Sequence, residues 1–227
     1  MKKKKKEPPI SDLLKIMAKL RSPEGCPWDR EQNHKSLRYH SVEEAYELMD
    51  AIETESDEEM IEELGDVLLQ VVFHAQLASE RKAFDFDTIA QSISEKLIRR
   101  HPHVFGETEA NTVEAVWKQW EQIKKAEKKG TSQERHSALD GIPRHLPALL
   151  RAEKLVKKAR KAGLLPAAKP ADKSTPDREA LAKRLFQLAA TAQAQGFSAE
   201  ELLREQTNAV EKQLRAAELK RNEAGEA

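Results

Sequence analysis

Residues 41–80 read SVEEAYELMDAIETESDEEMIEELGDVLLQVVFHAQLASE. The stretch contains thirteen Asp or Glu and no Lys or Arg. Ser41 predicts the start of a helix over about 41–55, with Glu44 three residues on completing a capping box. Ser56-Asp57 opens a longer helix to about residue 82. The short connection around 54–57 makes the two helices antiparallel neighbours. Glu44 and Glu47 are three residues apart, as are Glu63 and Asp66, so each pair shares one helix face. Four carboxylates then converge across the helix pair.

A solvated helix face usually mixes both signs of charge to gain i,i+4 pairs. Here the acids have no local counter-charge, and a divalent cation is the economical external one. Oxygen-only ligands suit Mg²⁺ or Mn²⁺, and acid pairs on facing bundle helices are a known way to hold such ions. Val67, Leu68, Leu69, Val71, Val72 and Phe73 point in nearly every direction around the helix, which predicts burial on all sides. Glu63 and Asp66 stand at the entrance to that apolar run. Buried unpaired carboxylates would be costly, so a metal explains them better. Gly65 predicts a close approach by a helix or ligand. The plainer reading is a charged surface with incidental spacing. Two equivalent pairs in a stretch without bases weigh against it.

Outward from this stretch the chain remains helical in character. Only 5% of its 227 residues are aromatic and it has 8 glycines, so strand-forming runs are scarce while Ala, Leu, Glu, Lys, Gln and Arg abound. The expectation is an all-α protein. Further helices are predicted at 11–21 (capped by Ser11), 88–101 (capped by Asp87), 113–129, 148–162, 178–195 and 199–221. Residues 22–29 read as a loop, as do 164–177, with their three prolines. The expected organisation is a basic disordered tail at 1–9, a helical domain bearing the acid pairs at 10–130, a Gly- and Pro-containing linker at 131–147, and a helical domain at 148–227. Asp66-Val67-Leu68-Leu69-Gln70 can be laid over Lys183-Arg184-Leu185-Phe186-Gln187, a faint internal repeat.

The formal net charge is zero, which argues against a specific nucleic-acid partner. It hides an acidic first part and a basic remainder. A single cysteine, Cys26, fits a reducing, cytoplasmic setting. Lys2–Lys6 begin like a signal peptide, but residues 10–20 are amphipathic and no run of about 18 apolar residues follows, so neither secretion nor a membrane span is expected.

The pattern Glu43-Glu44-x-x-Glu47, fifteen residues, Glu63-x-x-Asp66 closely resembles the signature of the MazG family of all-α nucleoside triphosphate pyrophosphohydrolases. Cys26-Pro27-Trp28-Asp29 with Glu31-Gln32 is similar to that family's N-terminal loop. Arg99–Phe105, Val116-Trp117 through Lys124, and Leu139-Asp140-x-Ile142-Pro143-x-x-Leu146-Pro147 also fit, so the resemblance covers about 10–160. It implies a MazG-like helical bundle with 10–130 as the catalytic domain, a homodimer, and Mg²⁺-dependent cleavage between the α and β phosphates of NTPs or dNTPs, giving the monophosphate and pyrophosphate. Carried over by position, it implies Glu44, Glu47, Glu63 and Asp66 as the metal-binding, catalytic residues, with Glu43 in a supporting place. It also implies Lys96 and Arg100 as triphosphate contacts. These two could instead be ordinary solvated bases, and Trp28 either stacks on a base or pins its loop. Trp117 and Trp120 read as packing residues, and His101 and His103 as shaping a turn. In the second half Ala180 and Lys183 stand where the second acid pair would be. That implies a degenerate MazG-like repeat without metal ligands, structural or dimer-stabilising. The alternatives are a non-catalytic nucleotide-binding or dimeric interaction module, and a narrower pyrophosphohydrolase acting on dUTP, dCTP or phosphoribosyl-ATP.

Overall fold

The computed structural model of the chain describes residues 8–131, 134–167 and 176–225. The basic tail read at 1–9 falls mostly outside them, as do 132–133 of the expected linker and 168–175 of the proline-containing loop. All regular elements among the described residues are helices, so the fold class is all-α as expected. The chain divides into two compact units, 1–117 and 118–227.

The first unit contains α1 (Pro9–Leu20), α2 (Pro27–Glu31), α3 (His40–Glu53), α4 (Asp57–Glu80), α5 (Phe86–Arg100) and α6 (Pro102–Phe105). Helix α4 is its centre, with α1, α3 and α5 all packed against it. Met17 of α1, Leu37, and Val72, Phe73 and Leu77 of α4 form a buried core, edged by Ile10, Leu13, Leu14, Leu69 and Phe86. Burying such side chains contributes roughly 1.5–3 kcal/mol each. Arg21 ties the end of α1 to the far end of α4: its Nε and Nη2 donate to the two Glu80 carboxylate oxygens at 2.6 and 2.7 Å. Its Nη1 donates to the Asp29 carbonyl, which fixes α2, and the guanidinium lies over the Phe73 ring. Gly25 is required before α2, because a Cβ there would meet the Leu20 carbonyl oxygen at 2.1 Å.

Several helix starts differ from the sequence reading. Helix α1 begins at Pro9 rather than at Ser11, since proline's fixed φ suits the first helical position. The Ser41 capping box does not form. Tyr39 already has helical backbone angles, and the Ser41 hydroxyl turns back to the Leu37 carbonyl. Ser56 does cap α4, accepting from the Glu59 amide at 3.2 Å. Asp85, not Asp87, caps α5. The short helix α2 begins within the loop read at 22–29, at Pro27, and runs on to Glu31.

Helix α7 (Val113–Lys128) spans the division between the units. The second unit continues with α8 (Ala148–Lys161), α9 (Arg178–Ala194) and α10 (Ala199–Gly225). Helices α8 and α10 pack against each other around Leu139, Leu155, Ala159 and Leu214. Leu139 is 0% exposed, although it lies in the stretch read as a linker. Glu218 accepts from the Ser137 hydroxyl and the Ala138 amide, and Arg215 Nη1 donates to Asp140 Oδ1 at 2.7 Å. Glycine and proline in 131–147 forbid a long helix there, but they do not prevent the strand of chain from packing.

Candidate metal centre

The turn between α3 and α4 is a tight reversal through Thr54–Ser56, with Glu55 at φ 57°. It lays the two helices against each other along much of their length. In consequence Glu44 of α3 and Glu63 and Asp66 of α4 each present a carboxylate oxygen within 4.8 Å of the others. All three are half-buried. Opposite ligands of a hard divalent ion, each roughly 2.0–2.6 Å from it, are separated by about 4–5 Å. Three oxygens on that scale fit such an ion, and the all-oxygen donor set suits Mg²⁺, Mn²⁺ or Ca²⁺ rather than a soft metal.

The electrostatics agree. Burial, with the charges of Asp66 and Glu47 beside it, raises the Glu44 carboxyl above its ordinary value. Glu63 is raised too, by desolvation among its neighbours and then by Glu47, Asp66, Glu62 and Glu59. Glu47, although exposed, therefore lies close enough to act on both. The neighbouring acids make Glu44 and Glu63 harder to ionise, which is the state a cation relieves.

The other residues singled out in the sequence lie on α2, α3, α5 and α7, outside the group of three carboxylates. Lys96 and Arg100 lie one turn apart on α5, half-buried. Trp28 on α2 is 53% exposed and meets the His40 ring edge-on at 6.2 Å. Glu43 is exposed on α3, with the His40 imidazole 3.4 Å from its carboxylate. Trp117 is largely exposed rather than packed and Trp120 is half-buried. His101 ends α5 with its Nδ1 2.7 Å from the Leu97 carbonyl oxygen.

Two expectations about α4 need correction. Its apolar run is not sealed on all sides, since Leu68 and Val71 remain 38% and 37% exposed. Ile61 and Leu64, on the same face of the N-terminal half, are also exposed. Nor is Gly65 closely approached: a Cβ there would meet nothing within 4 Å.

The structure also joins a residue to the cluster that the spacing argument passed over. Gln70 Nε2 donates to Glu44 Oε1 at 3.3 Å. The available signal was a single amide inside an otherwise apolar run, which demands a partner. Further along the same face, His74 Nδ1 lies 2.8 Å from His34 Nδ1, with the rings stacked.

An all-α unit carrying a cluster of acids on two antiparallel helices, suited to a hard divalent cation, is the class that this fold and site define. Residues 32–105 match the family model of the MazG nucleotide pyrophosphohydrolase domain. The chain is 50% identical over 155 residues to the nucleoside triphosphate pyrophosphohydrolase of Escherichia coli (strain K12), covering 68% of this chain and 58% of that protein. It is 49% identical over 154 residues to the nucleoside triphosphate pyrophosphohydrolase/pyrophosphatase MazG of Thermotoga maritima, with the same coverage of 68% and 58%. An uncharacterized 26.1 kDa protein of Streptomyces cacaoi is 41% identical over 211 residues, 92% of this chain and 82% of its own length. The chain belongs to the MazG family. It spans somewhat under two thirds of the length of the two named pyrophosphohydrolases.

Proposed function

We propose that this protein hydrolyses nucleoside triphosphates, ribo- or deoxyribo-, to the monophosphate and pyrophosphate, with Mg²⁺ (or Mn²⁺) held by Glu44, Glu47, Glu63 and Asp66. The observation that carries the reading is the meeting of three of these carboxylates within 4.8 Å, in a stretch of forty residues without Lys or Arg. The E. coli and T. maritima relatives are named for this activity. Water adds at the α phosphorus, the bond from that phosphorus to the α–β bridging oxygen breaks, and pyrophosphate leaves with the electron pair. A bound divalent ion would supply charge neutralisation on the phosphate oxygens and a lowered pKa for water.

The chain's own side chains do the rest. The four acids fix the ion on two helices tied by a short turn. Lys96 and Arg100 take up phosphate charge from α5, since a polyanion needs cationic donors as well as a metal. Trp28 offers a flat face to a base. Glu43 supports the first acid pair.

The exposed apolar faces bear on partners. Val42, Tyr46 and Met49 of α3 and Ile61, Leu64, Leu68 and Val71 of α4 are uncovered, more than a lone soluble unit normally leaves exposed. A second copy of the chain covers them in a homodimer. The second unit, a degenerate repeat without metal ligands, supports the assembly. No helix among the described residues is long and apolar enough to cross a membrane, and the single cysteine suits a cytoplasmic setting.

The test is pyrophosphate release from a panel of NTPs and dNTPs with Mg²⁺. Turnover that EDTA abolishes and Mg²⁺ restores is the expected result. Binding of nucleotide without turnover of any member would instead leave a non-catalytic module, and turnover of one nucleotide alone would identify a narrower enzyme.

A further inference from the structure

Gln70 stands one turn beyond Asp66 on α4 and is only 8% exposed. Its amide reaches across to α3, donating from Nε2 to Glu44 Oε1 at 3.3 Å, the long end for such a bond. A carboxylate only accepts, so the amide has to turn its NH₂ toward Glu44. Its carbonyl oxygen is thereby left buried without a hydrogen-bond partner. An unsatisfied buried acceptor destabilises a fold. The surrounding run, Val67 to Phe73, is otherwise apolar, and a methionine of the same length would fill this place without that penalty. Packing therefore does not account for an amide at position 70, whereas its grip on Glu44 does.

The position of Glu44 matters more than that of its partners. Glu63 and Asp66 come from the same helix and are kept together by its backbone. Glu44 alone brings a carboxylate of α3 into the group of three. Its side chain has several rotamers, and only some of them direct it toward α4.

We infer that Gln70 is a positioning residue, holding the Glu44 carboxylate by one oxygen in the orientation that completes the cation site with Glu63 and Asp66. The inference rests on the metal reading proposed above. Hydrogen-bonding partners of metal ligands typically contribute 10–100-fold in metal affinity or activity, and Gln70 falls in that class.

The experiment compares Mn²⁺ binding, followed by electron paramagnetic resonance of the free ion, in the wild-type chain, Gln70→Met and Gln70→Asn. The metal-free melting temperature is read alongside. Gln70→Met is expected to melt no lower than wild type, because the unsatisfied carbonyl is gone, yet to bind Mn²⁺ about 10-fold more weakly. Gln70→Asn keeps the amide but falls one methylene short, and it weakens binding to a similar degree. At saturating Mg²⁺ the KM for nucleotide stays within about twofold of wild type in both. Wild-type Mn²⁺ affinity in Gln70→Met overturns the inference, as does a loss of melting temperature with affinity retained, which is the mark of a packing role alone. A wild-type chain that takes up no Mn²⁺ overturns the metal reading itself, and is told apart because no variant is needed to see it.

Discussion

Helices α4 and α9 invite comparison. In the register that lays Asp66 over Lys183 and Gln70 over Gln187, Ala75 falls on Ala192, and both alanines are buried. The surroundings then diverge. Helix α4 has α1, α3 and α5 against it, whereas α9 has α10. Glu63 and Asp66 face the acids of α3, but Ala180 and Lys183 occupy those places on α9, and Lys183 pairs with Glu179 of its own helix at 2.5 Å. Gln70 is buried against Glu44 while Gln187 is exposed. Leu181, Leu185, Phe186 and Leu188 of α9 are all exposed, Phe186 to 77%. An apolar helix does not make a site by itself. It needs a neighbouring helix to bring the opposing ligands.

The sharpest way to break this contrast is to remove it. Glu63→Gln or Asp66→Asn in α4 is expected to lower kcat by at least about 100-fold, the upper end of what even indirect metal partners contribute, with the helical circular dichroism unchanged. The reverse substitutions in α9, Ala180→Glu with Lys183→Asp, are expected to leave the Mn²⁺ stoichiometry as it is, because α9 has α10 beside it rather than the ligand-bearing α3.

The first unit also depends on its Arg21–Glu80 ion pair, in which the arginine is buried and the carboxylate is not. Arg21→Met leaves Glu80 without its bidentate partner at the junction of α1, α2 and α4, and is expected to cost about 2–3 kcal/mol, discounted from the fully buried case because Glu80 is partly exposed. Hydrogen exchange should locate that loss in residues 8–117 and leave α8 and α10 protected.

A pH series separates the units further. Burial, and then the facing His34, holds the His74 imidazole below its ordinary value. Unfolded chains therefore bind the proton more readily than folded ones. This contribution to stability is complete above about pH 6.5, and is lost as pH falls from there through the lowered folded value. Glu44 and Glu63 are raised and act in the opposite sense, favouring the folded state as they take up protons. The urea midpoint of wild type is thus expected to fall more steeply than that of His74→Gln between pH 7.5 and 6, a difference that isolates the histidine.

The smallest effects lie in the turns. Glu55 joins α3 to α4 at φ 57°, and Gly196 joins α9 to α10 at φ 77°. A left-handed residue other than glycine costs about 1–2 kcal/mol, part of which glycine returns as unfolded-state entropy. Glu55→Gly is expected to stabilise by a few tenths to about 1 kcal/mol, and Gly196→Ala to destabilise by about 1 kcal/mol, both read from denaturant midpoints.

Much of this protein is local and could be read along the chain. Helix class follows from residue propensity. The acid pairs follow from i,i+3 spacing, and the family resemblance from motifs that are contiguous in sequence. Cap positions were legible where the side chain had a free amide to serve, as at Ser56, and misread at Ser41, where a preceding turn already supplied helical backbone. The tertiary structure alone decided the rest. Gln70 holds Glu44 across 26 residues of chain, and Ser137 meets Glu218 across 81. Which face of α4 is covered depends on which helices lie beside it. Periodicity records only what a residue's near neighbours in sequence require, and these contacts arise between segments that come together when the chain folds.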